Sequence, residues 1–319
     1  MIGQQIRKLI QSLPEVSAWP EMAAIFNRLD NSQNPDWEIP CLVCQAVGGS
    51  VQAGLPGAAA LACLQGSILF VDDILDNDPR GEYHRLGYGP TANLAQAIQA
   101  AAFRVIATAV IDEPRQLAAI HTLAKAAIDT AYGQNLDVQN LRGEENYWKV
   151  VQAKSTPFYG ACYKIGALMG EADLKTADSL YDFGVIIGEI IQLEDDLTDA
   201  FETPSNADWR EGRNNLLILY ASTAQHPQQE RFLQLLPQTD NLAALQEAQQ
   251  ILITSGAVSY CMYHLISNYQ AARQLLDTLN LANPQIILSM LDSYANSLIH
   301  FLELSGFAVP KELLLAQEM

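Results

Sequence analysis

The string SILFVDDILDND, Ser67–Asp78, decides how this chain is read: Ile68, Leu69, Phe70 and Val71 pass without a break into Asp72, Asp73, Asp76 and Asp78. At about 100° per residue, Asp72 and Asp76 lie about 40° apart on a helix and Asp73 falls beyond Asp76, so three carboxylates share one sector. Like charges one turn apart repel by about 0.2–0.5 kcal/mol even when solvated, and burial against Ile68 or Phe70 raises that cost. A hard cation removes the conflict. Mg²⁺ takes one or two carboxylates and completes its shell with water and substrate phosphate oxygens, so an acidic helix end facing a cavity suits a metal shared with a diphosphate. A single such helix end reads more simply as a solvated acidic face. The device recurs, however, in GEIIQLEDDLTDAFE, where Asp195, Asp196 and Asp199 repeat the i, i+1, i+4 spacing on another apolar run. Two copies so far apart in the chain point to a pair of acidic helix ends facing each other.

These motifs and their flanks resemble the trans-type isoprenyl diphosphate synthase (polyprenyl synthetase) family and the class I terpene synthases that share its fold. The resemblance covers most of the chain. CQAVGG, Cys44–Gly49, and the Ala-rich run into DDILDND are similar to the first-motif helix and its predecessor. GQNLD, Gly133–Asp137, resembles the family's GQxxD; Lys154 with Ser155 resembles its Lys-Thr pair; Gln192 resembles the glutamine before its second motif. The resemblance implies an all-α fold, a single large helical bundle over residues 1–319 with a central active-site cavity. It also implies a homodimer and a site holding Mg²⁺, three ions in the family. Asp72, Asp73, Asp76, Asp195 and Asp199 are then the metal ligands and catalytic groups, with Asp196 behind them.

Composition agrees with a buried helical core. Of the 319 residues 49% are hydrophobic, and no low-complexity linker or solenoid-spaced repeat divides them. A formal charge of −18 argues against nucleic acid or an anionic membrane as partner, since both reward basic surfaces. An anionic prenyl diphosphate must therefore be drawn in locally. Five cysteines, Cys41, Cys44, Cys63, Cys162 and Cys261, are an odd number in apolar sequence and read as reduced core residues of a cytoplasmic protein. The lone CxxC of Cys41 and Cys44 lacks a second pair, and the five histidines make no metal-spaced pair. The opening MIGQQIRKLIQSL has no signal-peptide core. Ala53–Val71 tempts a membrane assignment, but Pro56, Gln65 and the aspartates that follow favour a buried helix over stable insertion.

Along the chain, residues 3–30 read as short amphipathic helices broken near Leu13-Pro14 and Trp19-Pro20, followed by a polar link, Asn31–Pro40. Expected helices then run over Cys41–Val47, about Leu55–Asp78, Ala92–Val110 with Thr91 as cap, a further one to about Gln134–Asp137, Tyr147–Met169 carrying Lys154, and Thr176–Phe201. Glu202–Asn215 is polar and follows the second acid cluster, placed to close over a diphosphate. Five helices from Leu216 to Leu304 complete the expected bundle, and no segment has strand period.

Ionising an allylic diphosphate breaks a C–O bond while negative charge grows on the leaving group, so metal ions and cationic side chains aimed there lower the barrier. Arg80, Lys154 and Arg213 are the candidate diphosphate contacts, with Gln192 beside them. The Ala- and Leu-rich helices supply an apolar wall that keeps water from the carbocation. Ser67 and Ile68, just before Asp72, are expected to floor the pocket; a small Ser67 predicts depth and favours fifteen- or twenty-carbon substrates. The departures matter equally. Chain-elongating relatives carry a GGKRLRP-type basic string for isopentenyl diphosphate, whereas NPDWEIP here places Asp36 and Glu38 where cations stand. That favours terpene synthase-like conversion of the carbocation on a prenyltransferase scaffold. Transfer to isopentenyl diphosphate (chain elongation) or to a non-isoprenoid acceptor is the alternative, and a non-catalytic modulator subunit is a minor one.

Overall fold

A computed structural model describes residues 2–29, 35–304 and 314, and among these every regular element is helical. The chain opens with α1 (Ile2–Gln11), α2 (Pro14–Ser17) and α3 (Pro20–Leu29), broken at the two expected prolines. The first part of the polar link, residues 31–34, lies outside the described residues; Pro35–Glu38 is a 3-10 turn leading into α4 (Ile39–Ala46). The core helices follow: α5 (Val51–Asp76), α6 (Tyr83–Leu86), α7 (Tyr88–Ile106), α8 (Glu113–Gln139), α9 (Glu144–Lys154), α10 (Thr156–Met169) and α11 (Leu174–Phe201). Beyond them lie α12 (Ala207–Arg210), α13 (Leu216–Thr223), α14 (Gln229–Leu235), α15 (Leu242–Thr254), α16 (Ala257–Asp277) and α17 (Pro284–Leu304). Buried side chains from α1 through α17 join in one core, and all five cysteines are free and buried within it. Burial pushes the Cys41 and Cys44 thiols up to about 12 and about 11.

By length and composition α5 could cross a bilayer, yet most of it is packed inside the protein. Ser50 caps it by accepting the Ala53 N–H, and Pro56, in its second turn, withholds a donor from the Gln52 carbonyl without ending the helix. Several boundaries differ from those read in the sequence, among them the end of α7 at Ile106, which leaves Val110 exposed where helix was expected; three have a plain local cause. Helix α5 stops at Asp76, since Asn77 turns left-handed (φ 53°), and Asp78 therefore lies off the acidic face. Thr91 does not cap α7: Gly87 (φ 89°) lets the helix begin at Tyr88, Pro90 sits harmlessly in its first turn, and Thr91 is buried. The single helix expected over Tyr147–Met169 is two, because Pro157 cannot donate to the carbonyl a turn earlier; the break falls at Ser155, beside Lys154.

Two glycines set how closely the site's helices approach. A Cβ on Gly133 would stand 2.3 Å from the Lys154 nitrogen, so α8 and the last turn of α9 touch backbone to backbone. One on Gly188 would stand 2.7 Å from the Thr156 Cα, so α10 and α11 meet just as tightly. The first contact aims Lys154 at α8 and α5. The second brings Ser155 against α11.

Candidate active site

Helix α5 delivers Asp72, Asp73 and Asp76 in its last turns, and each meets a different environment. Asp72 Oδ1 lies 3.0 Å from Lys154 Nζ, which is also 2.6 Å from Asp137 Oδ2. Gln134 donates to the Ile68 carbonyl (3.1 Å) and toward Asp72 (3.4 Å), fixing α8 against the step of α5 below the acids. Asp76 Oδ2 accepts from Arg213 at 2.7 Å, a contact spanning 137 residues. Asp73 faces no cation so closely; burial, then Asp78 and Asp72, push its carboxyl up to about 6. Burial and Asp72 raise Asp76 as well, against the pull of Lys154 and Arg213. Burial depresses the Lys154 ammonium, but Asp72 and Asp137 more than offset it and hold the proton on.

The second cluster divides by face. Asp196 is 3% exposed, accepts from Gln192 (2.9 Å) and the Leu216 N–H (2.8 Å), and its carbonyl accepts from Asn215 (2.7 Å). This carboxylate clamps the start of α13 to α11, so Asp196, expected behind the five ligands, is occupied with holding the fold. Asp195 and Asp199 point elsewhere. Asp195 keeps accessible surface, and the protein around it, followed by Asp199 and Asp36, pushes it up to about 6. Burial, Asp208 and Glu202 do the same to Asp199. Glu194, enclosed beside them, accepts from Tyr269 at 2.7 Å and burial pushes it up to about 8.

Two bridges hold the clusters on one rim. Ser155, next to Lys154, donates to Gln192 at 2.7 Å, so Asp72, Lys154, Ser155, Gln192 and Asp196 form a continuous polar chain. The second is the segment after α11. Asn206 donates to the Asp199 carbonyl, the buried Trp209 to the Ala200 carbonyl, and Arg213 reaches back to Asp76. Asn140 and Asn214 clasp the same segment to the α8–α9 link through the Gly212 and Leu141 carbonyls (3.1 and 3.0 Å). At the junction lies a cavity of about 300 Å³ bordered by Asp76, Asp137, Asn140, Glu211 and Arg213.

The other expected residues fall as follows. Arg80 stands at the rim with its side chain 90% exposed and its guanidinium on Asp78 (2.8 Å), away from the Lys154 contact. Ser67 is buried on the flank of α5, and Ile68 lies one turn below Asp72. Asp36 is enclosed in the interior, accepts from the Tyr159 hydroxyl at 3.1 Å, and is raised chiefly by burial. Asp137, Gln134 and Ser155 belong to the site although only their motif strings drew notice. Asp208, which Asn215 holds at 3.0 Å, gave no signal in the sequence.

Among the described residues, no three acidic, cysteine or histidine side chains converge closely enough to enclose a metal alone. Mg²⁺ takes one or two carboxylates and completes its shell with water and phosphate oxygens. The candidate donors are all carboxylates; burial first, and neighbouring acids after it, weaken the acidity of three of them, and a hard cation would offset both effects.

Comparison with known proteins agrees with this geometry. A geranylgeranyl diphosphate synthase from Methanosarcina mazei is 26% identical over 271 residues, 79% of this chain and 82% of its own. The solved geranylgeranyl pyrophosphate synthetase of Pyrococcus horikoshii superposes with a TM-score of 0.78 over 92% of this chain and 94% of its own, at 20% identity. A geranylgeranyl pyrophosphate synthase from Corynebacterium glutamicum, solved with calcium and isoprenyl diphosphate, gives 0.75 over 95% and 93% at 17% identity. The polyprenyl synthetase family model matches residues 39–252, about two thirds of the chain and both acid clusters. The chain is therefore a class I isoprenoid synthase and belongs to the polyprenyl synthetase family.

Proposed function

We propose that this protein is a Mg²⁺-dependent prenyltransferase that ionises an allylic prenyl diphosphate and joins the prenyl group to isopentenyl diphosphate. The observation that supports the reading is the pair of contacts made by adjacent residues, Lys154 to Asp72 on α5 and Ser155 to Gln192 on α11, which ties the two acid-bearing helices together. The departures at Asp36 and Glu38 put conversion without an acceptor first, but the activities of the relatives weigh toward elongation. Asp72, Asp73, Asp76, Asp195 and Asp199 would hold the metal, which when bound neutralises charge on the departing diphosphate. Lys154 and Arg213 keep positive charge at the same place, each already held by a carboxylate that fixes its direction. In the reaction the C1–O bond breaks with its electron pair leaving on the diphosphate, the acceptor's double bond attacks C1, and loss of an acceptor proton restores a double bond. The apolar residues below Asp72, Ile68 among them, keep water from the cation.

Products are to be identified by mass after incubation with Mg²⁺ and allylic diphosphates of ten, fifteen and twenty carbons, with and without isopentenyl diphosphate. Elongation predicts diphosphate release only when the acceptor is present, and a product one isoprene unit longer. Asp36 favours a second reading, since a carboxylate beside Asp195 repels a second diphosphate. Release of diphosphate from the allylic substrate alone, with a hydrocarbon or alcohol product, would establish that terpene synthase-like conversion instead.

A further inference from the structure

The segment joining α11 to α13 has a second face. Beside it opens a cavity of about 490 Å³, bordered by Arg213 as well, with Ile218, Leu219, Leu233, Leu236 and Pro237 as its apolar lining. Leu233 remains 46% exposed there, an apolar side chain left facing solvent. Arg142 and Arg210 stand at the rim, where acidic Asp208 and Glu211 also border the opening. Those acids are engaged: Asp208 accepts from Asn215, and Glu211 pairs with Arg213. Among the described residues neither Arg142 nor Arg210 forms an ion pair, although the chain carries a net charge of −18; Arg210 donates only to the Asn206 carbonyl.

We propose that this cavity is a second binding site, adjoining the catalytic rim at Arg213, for a prenyl diphosphate, the class of molecule the protein releases if the function proposed above holds. Two guanidiniums recognise a diphosphate head through bidentate, charge-assisted hydrogen bonds, and the trough takes the hydrocarbon tail. A free phosphate would leave the apolar floor wet; a neutral lipid would leave the arginines unused. Arg142 rests over Gly212, where a Cβ would come 2.7 Å from its Nη2. Gly212 is the residue between Glu211 and Arg213, so drawing Arg142 toward a bound head acts on the strand of backbone that holds Arg213 at Asp76. Occupancy therefore inhibits in a way that added allylic substrate does not relieve.

The test uses full-length protein stripped of metal, so that metal-dependent binding at the catalytic rim is removed. Geranylgeranyl diphosphate below its micelle concentration, geranylgeraniol and inorganic diphosphate are titrated separately by calorimetry. Saturable binding of the first at one per chain, and not of the other two, is expected. It should weaken at least about tenfold in Arg142→Ala/Arg210→Ala and in Thr223→Trp, which fills the trough from an exposed position. With Mg²⁺ restored, both variants should keep initial rates and lose the non-competitive part of product inhibition. Absence of metal-free binding, equal binding of the alcohol, or unchanged affinity in the variants overturns the second site. A wild-type protein that turns over no allylic diphosphate with Mg²⁺ would overturn the proposed function, whatever the titration gives.

Discussion

Lys154 stands between Asp72 and Asp137 with only 22% of its side chain exposed, so its charge is already spoken for before any substrate arrives. Such a lysine is fixed in direction, and an anion approaching Asp72 meets an ammonium that need not reorganise. Asp72→Asn and Asp195→Asn should each lower kcat/KM by at least about 100-fold while the melting temperature stays near wild type, as steady-state kinetics and calorimetry would register. Retained turnover would remove these residues from the metal set. The raised acids give a pH signature. Asp73, Asp195 and Asp199, pushed by burial and by neighbouring carboxylates to about 6, bind more protons folded than unfolded between about pH 4 and 6. The metal-free fold therefore loses stability as pH rises through that window and then levels off. A cation lifts the penalty only where the acids are ionised. The thermal shift produced by Mg²⁺ should be small at pH 5 and larger above about pH 6.5.

At the scale of elements, the close approaches decide more than the helices' own lengths. The spacing of both acid clusters was legible because helical period alone puts their carboxylates on one face. What decided the contacts was less visible. The break at Ser155 depends on Pro157, three residues beyond Lys154, and it turns an expected single helix into two whose junction serves the site. Asp196 was expected behind the ligands, but that it packs against the start of α13 and holds it to α11 shows only in tertiary contact. Asn77, by turning left-handed, removed Asp78 from the acidic face and gave it to Arg80. Gly133→Ala should cost about 3 kcal/mol and activity together, because the new methyl meets backbone at 2.3 Å and pushes α8 from Lys154. Denaturation midpoints and kinetics measured on one preparation check this. On α5, Ser67→Phe should shift the accepted chain toward fewer carbons in product analysis; an unchanged preference would take Ser67 out of the pocket floor.

For the whole molecule, the homodimer implied by the family resemblance has a surface to use. Leu117, Ile128 and Tyr132 of α8 are exposed by 52%, 69% and 58%, with Tyr88 of α7 at 57%. Such side chains on a chain of charge −18 are better covered than solvated. Sedimentation should find a dimer, and Ile128→Glu should shift it toward monomer; a monomeric wild type would leave the stripe for another partner. The molecule also carries a constraint of direction. Gln192 accepts from Ser155 through its oxygen and donates to Asp196 through its nitrogen, so that the amide works as an oriented link. A glutamate in its place could still take the Ser155 proton, but it would set two carboxylates against each other at Asp196. Any descendant of this sequence that exchanges residue 192 for an acid must therefore trade residue 196 for a donor in step, and the two positions will drift only as a couple.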